Sequence, residues 1–121
     1  MKSWIGVTGA MALAVVTGCA AVPGAGRTVY DQNCAVCHGP GGHGDGDFAA
    51  QLLTLPPDLT VLARNNGGSF PEDRVRAVIE GPGRADHFSG AMPEFGETLP
   101  RLTGASQIDA VVHYLETIQA N

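Results

Sequence analysis

The sequence predicts an all-α domain of four to five short helices joined by long Gly- and Pro-rich loops. Three observations carry that prediction. Apolar residues recur at helical spacing near the C-terminus, at Ile108, Val111, Val112, Leu115 and Ile118. No stretch alternates apolar and polar residues as a half-buried strand does. The 121 residues include 17 Gly and 8 Pro, so a large share of the chain must be loop. That length suits one domain.

The chain is organised around Cys34-Ala35-Val36-Cys37-His38. This is the Cys-x-x-Cys-His pattern of covalent c-type haem attachment. Two residues between the cysteines put both sulfurs on one porphyrin edge, within reach of its two vinyl groups. A histidine next in line can swing its imidazole under the ring and bind the iron. Such a match arises by chance in on the order of one chain in a thousand of this length. Three other readings compete. A redox dithiol wants a thioredoxin-like βαβ pattern, which is missing. A zinc site wants four ligands, and there is no second cysteine pair. A plain disulfide is the third. One covalent haem is therefore expected, with the helices wrapped around it. Only 6% of the residues are aromatic, and a buried haem would supply the apolar plate that such a core lacks.

The N-terminus reads as a targeting segment. Lys2 is followed by an uncharged apolar run from Trp4 to Thr17, too short to span a bilayer comfortably. Val16-Thr17-Gly18-Cys19 resembles a bacterial lipobox, which predicts lipidation of Cys19 after removal of residues 1–18. Cleavage near Ala20 or Ala21 and an uncleaved anchor are the alternatives. Residues 19–26 then form a tether and residues 27–121 the folded domain. All three readings export the domain, to the periplasmic side of a bacterial membrane. Removal of residues 1–18 leaves 6 Arg, no Lys and 12 acids, a net charge of −6. That excludes ordinary nucleic-acid binding and suits a partner with a positive docking face.

Arg27 to Cys37 predicts the first helix, with Val29, Tyr30, Asn33 and Cys34 on one face. Gly39 to Asp47 predicts a loop. Its G-x-G-x-x-G has no strand before it and no helix after it, so a dinucleotide site is rejected. Asp45 and Asp47 lack the rest of a calcium loop. Pro56 and Pro57 force an extended entry, and Asp58 is placed to cap a short helix through about Arg64. Phe70 to Glu80 predicts a helix with Pro71, Glu72 and Asp73 in its first turn, Val75, Val78 and Ile79 inward, and Gly81 as its stop. Gly81 to Pro100 is a loop long enough to imply function. Ser106 to Gln119, starting as early as Thr103, predicts the last helix.

Electron transfer calls for a second strong axial ligand beside His38, because a six-coordinate iron reorganises little as its charge changes. Met92 is the expected ligand. It is the only methionine after the targeting segment, it sits on the long loop, and Pro93 stiffens the backbone behind it. A thioether favours Fe(II) and raises the reduction potential. His87 is the runner-up, and His43 and His113 read as solvated residues. Arg64 and Arg84 are candidates to pair with haem propionates, whose carboxylates match a guanidinium fork.

With these residues in place the mature part, about Gly26 to Ile118, resembles a small monohaem class I cytochrome c. The resemblance implies the cytochrome c fold, in which the first and last helices cross closely. There a glycine and an aromatic of the first helix meet an aliphatic and an aromatic of the last. Gly26 and Tyr30 match the first pair, and Val111 and Tyr114 the second. The resemblance also implies a proline carbonyl that fixes the tautomer of the proximal histidine, with Pro40 as a candidate. Pro57-Asp58-Leu59-Thr60 is similar to a segment of many bacterial members, which often serve oxidases or dehydrogenases. Two features of other members are missing: the lysine docking ring, and any tryptophan in the mature part.

The expected function is one-electron transfer by a lipid-tethered or periplasmic carrier or subunit that transforms no substrate. Its expected partners are a dehydrogenase, an oxidase or another cytochrome. The alternative is a haem enzyme or gas sensor with a vacant or labile sixth position.

Overall fold

A computed structural model describes residues 24–82, 84, 90–102 and 105–120. The targeting segment, Cys19, His87 and the early helix start at Thr103 lie outside the described residues. Among the described residues four α-helices form: α1 (Ala25–Asn33), α2 (Ala35–His38), α3 (Glu72–Glu80) and α4 (Gln107–Thr117). Short 3-10 turns stand at Ala49–Gln51, Leu59–Val61 and Arg64–Asn66.

α1 begins at Ala25, two residues ahead of the expected start, and takes the last residues of the expected tether. The helix expected to run on to Cys37 breaks at Cys34 and restarts as α2. Asp58 does cap the next segment: its carboxylate accepts from the Thr60 N–H at 2.8 Å. The capped segment forms two tight 3-10 turns rather than one α-helix. One feature was not expected. β1 (Arg101–Leu102) pairs antiparallel with β2 (Ala105–Ser106), directly before α4. Two residues per strand are too few for an alternating pattern to register in sequence.

α1 and α4 share the largest interface, and α3 packs on α4 beside it. The core is Val29 and Tyr30 from α1, Ile79 from α3, and Ile108, Val111, Val112 and Leu115 from α4. These are among the inward positions that the helical spacing predicts, while Val75, Val78 and Ile118 are only half-buried. The crossing is close because residue 26 is glycine. A Cβ there would strike the Ala110 carbonyl and come within 2.8 Å of the Tyr114 Cβ. One turn on, the Tyr30 and Tyr114 rings pack tilted, 5.2 Å apart. The Arg27 guanidinium lies 5.8 Å from the centre of the Tyr114 ring, at cation–π range.

A capping box starts α4. The Ser106 hydroxyl accepts from the Asp109 N–H at 3.0 Å, and the Asp109 carboxylate accepts from the Ser106 N–H at 3.2 Å. Arg76 of α3 pairs with the same carboxylate and with Glu72, locking α3 to the start of α4. The Arg76 hydrogen bond holds the Asp109 carboxyl below its ordinary pKa, and the Ser106 N–H adds to the effect. A depressed folded-state pKa stabilises above the unfolded value, near 4, and the gain is lost as pH falls through the lower folded value. Asp109→Asn should therefore cost about 0.5–1 kcal/mol at neutral pH, the worth of a half-exposed pair and cap. Urea titrations at neutral and at acid pH check this: the cost should shrink as pH falls below the ordinary carboxylate range.

Candidate functional site

The haem-attachment motif begins where α1 ends. The Cys34 N–H closes α1 on the Tyr30 carbonyl at 2.8 Å, and its φ of −119° then turns the chain. The four-residue α2 beyond it is too short to hold itself. The returning loop holds it by taking up its carbonyls. The N–H groups of Phe48, Gly46 and Gly44 donate to the carbonyls of Val36, Cys37 and His38 at 2.9, 3.1 and 2.8 Å. The fully buried Tyr30 donates its hydroxyl to the Gly39 carbonyl at 2.6 Å. Burial pushes its phenol well above the ordinary pKa, so it stays a donor. The core of α1 is thereby tied to the residue directly after His38.

Cys34 and Cys37 are half-buried free thiols, so the disulfide reading does not describe this structure. Burial, with Cys37 close by, pushes the Cys34 thiol up to about 11. His38 is also half-buried. Burial lowers its pKa, against an opposing pull from the Pro57 carbonyl, so the imidazole is neutral. Its Nδ1 is buried and has no hydrogen-bond partner in the structure. The Pro57 carbonyl acts on the ring without reaching hydrogen-bonding geometry to Nδ1.

The proline carbonyl beside the ring is thus that of Pro57, not Pro40. Loop docking places it there. The Leu59 N–H donates to the Gly42 carbonyl at 2.7 Å, laying the 56–60 segment against the loop after the motif. Gly44 permits the contact: it has a φ of +80°, and a Cβ there would strike the Pro56 carbonyl. Gln119, just past α4, clasps the same region. Its side chain accepts from the Ala63 N–H and donates to the Leu59 carbonyl, at 2.9 and 2.7 Å.

Met92 is half-buried and packs on the core cluster that Cys34 and Ala35 also border. Arg84 holds its backbone. The guanidinium donates to the carbonyls of Val78, Met92 and Pro93 at 2.8, 2.7 and 2.6 Å. Arg84, a propionate candidate on its sequence, thus serves the backbone of the methionine segment. Arg64 is exposed, at the rim of an open groove lined by Ala63, Phe70 and Glu116. His43 stands exposed 3.4 Å from Asp58, and His113 is exposed on the outer side of α4.

These residues fit a haem. A neutral imidazole, with Nδ1 buried near a backbone carbonyl, leaves Nε2 as the nitrogen to bind metal. Leu59, Phe70, Val75, Met92, Phe95 and Leu99 border the core yet are only half-buried, an apolar margin suited to a flat apolar group. A core with so little aromatic volume, edged by two free thiols and that imidazole, belongs to the class of proteins built around a covalent haem. The family model described as Cytochrome c matches residues 24–119, and the chain belongs to that family. Its fold is the all-α cytochrome c fold, its cofactor is covalently bound haem c, and its chemistry is haem-based electron transfer. No curated protein and no solved structure matches the chain significantly.

Sequence reasoning missed the Pro57 carbonyl and the use of Arg84. A signal for the first was present. The extended Pro56-Pro57 segment needs a docking surface, and the glycine-rich loop is a place where a backbone can approach closely.

Proposed function

We propose that this protein is a one-electron carrier, or the electron-transfer subunit of an oxidase or dehydrogenase, on the outer side of a bacterial membrane. Cys34 and Cys37 hold the haem through thioether bonds, and His38 and Met92 are the axial ligands. The haem, when bound, supplies an iron that cycles between Fe(III) and Fe(II). The chain does the rest. The Tyr30 and Gly44 contacts fix the turn that carries His38, and the 91–96 segment presents the thioether. Arg64 and Arg84 are the candidates to pair with the haem propionates. The observation that carries this reading is the buried, unpartnered Nδ1 of His38 beside the Pro57 carbonyl, in a turn that also holds two free thiols.

Docking is proposed at the motif's own surface. Val36 lies between the two cysteines and is exposed, as are Phe48, Leu53 and Leu55 on the returning loop. Small apolar patches of this kind suit brief encounters with a redox partner. The mature part's net charge of −6, from 6 Arg against 12 acids, favours a partner with a positive face. We place the domain on a lipid tether at Cys19.

Absorption spectra of the exported protein test the reading. The expected spectrum is that of a low-spin six-coordinate haem in both redox states, and the reduced protein resists carbon monoxide. Rapid, complete carbon monoxide binding would replace the carrier with the rival, a haem enzyme or gas sensor with a labile sixth position.

A further inference from the structure

Arg84 lies between two elements that must keep their spacing. Its Nε donates to the Val78 carbonyl in α3, while its two terminal nitrogens donate to the carbonyls of Met92 and Pro93. These acceptors do not form one continuous ladder, since fourteen and fifteen residues separate Val78 from the other two. The same join is reinforced nearby: the N–H groups of Phe95 and Gly96 donate to the carbonyls of Ile79 and Glu80 at 2.9 and 3.0 Å. Those two bonds fix the chain after the methionine. Among the described residues, Arg84 is what fixes Met92 and Pro93 themselves.

We infer that Arg84 is a positioning residue, whose guanidinium fan sets the backbone of Met92 against α3 so that the thioether is held at the iron. The inference rests on Met92 being the axial ligand. A planar guanidinium with donors fanned in fixed directions can serve three carbonyls together, which a lysine ammonium cannot do with the same geometry. Without the fan, the carbonyls of Met92 and Pro93 lose these bonds to Arg84. The methionine-off form then gains population, and any added ligand that binds that form gains apparent affinity in proportion.

The experiment titrates oxidised holoprotein with imidazole and follows the sulfur–iron charge-transfer band. It compares wild type, Arg84→Gln and Arg84→Lys, with Arg74→Gln as a charge control, because Arg74 is an exposed residue of α3. Arg84→Gln should bind imidazole about tenfold or more tightly and show a weakened band, while keeping its covalent haem and helical content. Arg84→Lys should fall between it and wild type, and Arg74→Gln should match wild type. Wild-type affinity and band in Arg84→Gln would overturn the positioning role and leave Met92 as ligand. Failure of both Arg84 variants to accumulate as holoprotein would overturn it too, by showing a global rather than local role. A wild-type protein with no sulfur–iron band would instead remove the Met92 reading on which the inference stands.

Discussion

Gly26→Ala is expected to destabilise the holoprotein by about 2–3 kcal/mol, although alanine is the better helix former. At an open helical site the exchange would gain up to about 1 kcal/mol. Here the new methyl group meets the Ala110 carbonyl and sits 2.8 Å from the Tyr114 Cβ. Neither obstacle is the flexible tip of a side chain, so α1 and α4 must move apart. Overpacking of this kind typically costs about 1–3 kcal/mol. The separation would also loosen the Tyr30–Tyr114 contact and weaken the hold of Tyr30 on Gly39. The loss is a substantial part of the roughly 5–15 kcal/mol that a domain has in total. Urea unfolding of wild type, Gly26→Ala and Gly26→Val measures it. The midpoints should fall in that order, and a Gly26→Ala protein as stable as wild type would contradict the close crossing.

Met92→Ala should have the largest effect on redox behaviour. If Met92 is the sixth ligand, the variant loses the sulfur–iron charge-transfer band, its reduction potential drops, and the reduced form binds carbon monoxide readily. Stability should suffer less, by about 2 kcal/mol, because the half-buried Met92 leaves less of a cavity than a core residue would. The split is the test. An unchanged spectrum with lowered stability would make Met92 a packing residue and move the sixth-ligand assignment to His87.

The parts of this architecture legible in the sequence are those set by local spacing. The stripe on α4 and the Val29–Tyr30 face of α1 depend only on helical periodicity, and both are buried as expected. The Gly26–Tyr114 crossing followed from the resemblance, and the contacts of those two residues agree with it. The features that were missed depend on where loops dock. Pro40 is nearest to His38 along the chain, but the chain runs out to solvent there, and the Pro57 carbonyl arrives from a folded-back segment. Arg84 matched a carboxylate in charge and shape, yet the same fork suits a set of carbonyls. The return of Met92 and Pro93 alongside α3 supplies two of those carbonyls. The break at Cys34 was hidden for another reason: the helical face runs unbroken through it, and the turn arises from the loop that captures the α2 carbonyls.

The pairing of α1 with α4 sets the order in which this domain can become solid. The two helices bracket nearly all of the folded chain, and bringing such distant segments together is the slow, entropically costly part of folding. During synthesis, a chain that stops short of Gln107 has Val29, Tyr30 and Ile79 but none of the α4 residues that cover them. Such a chain stays pliable and open to proteases until its final helix emerges.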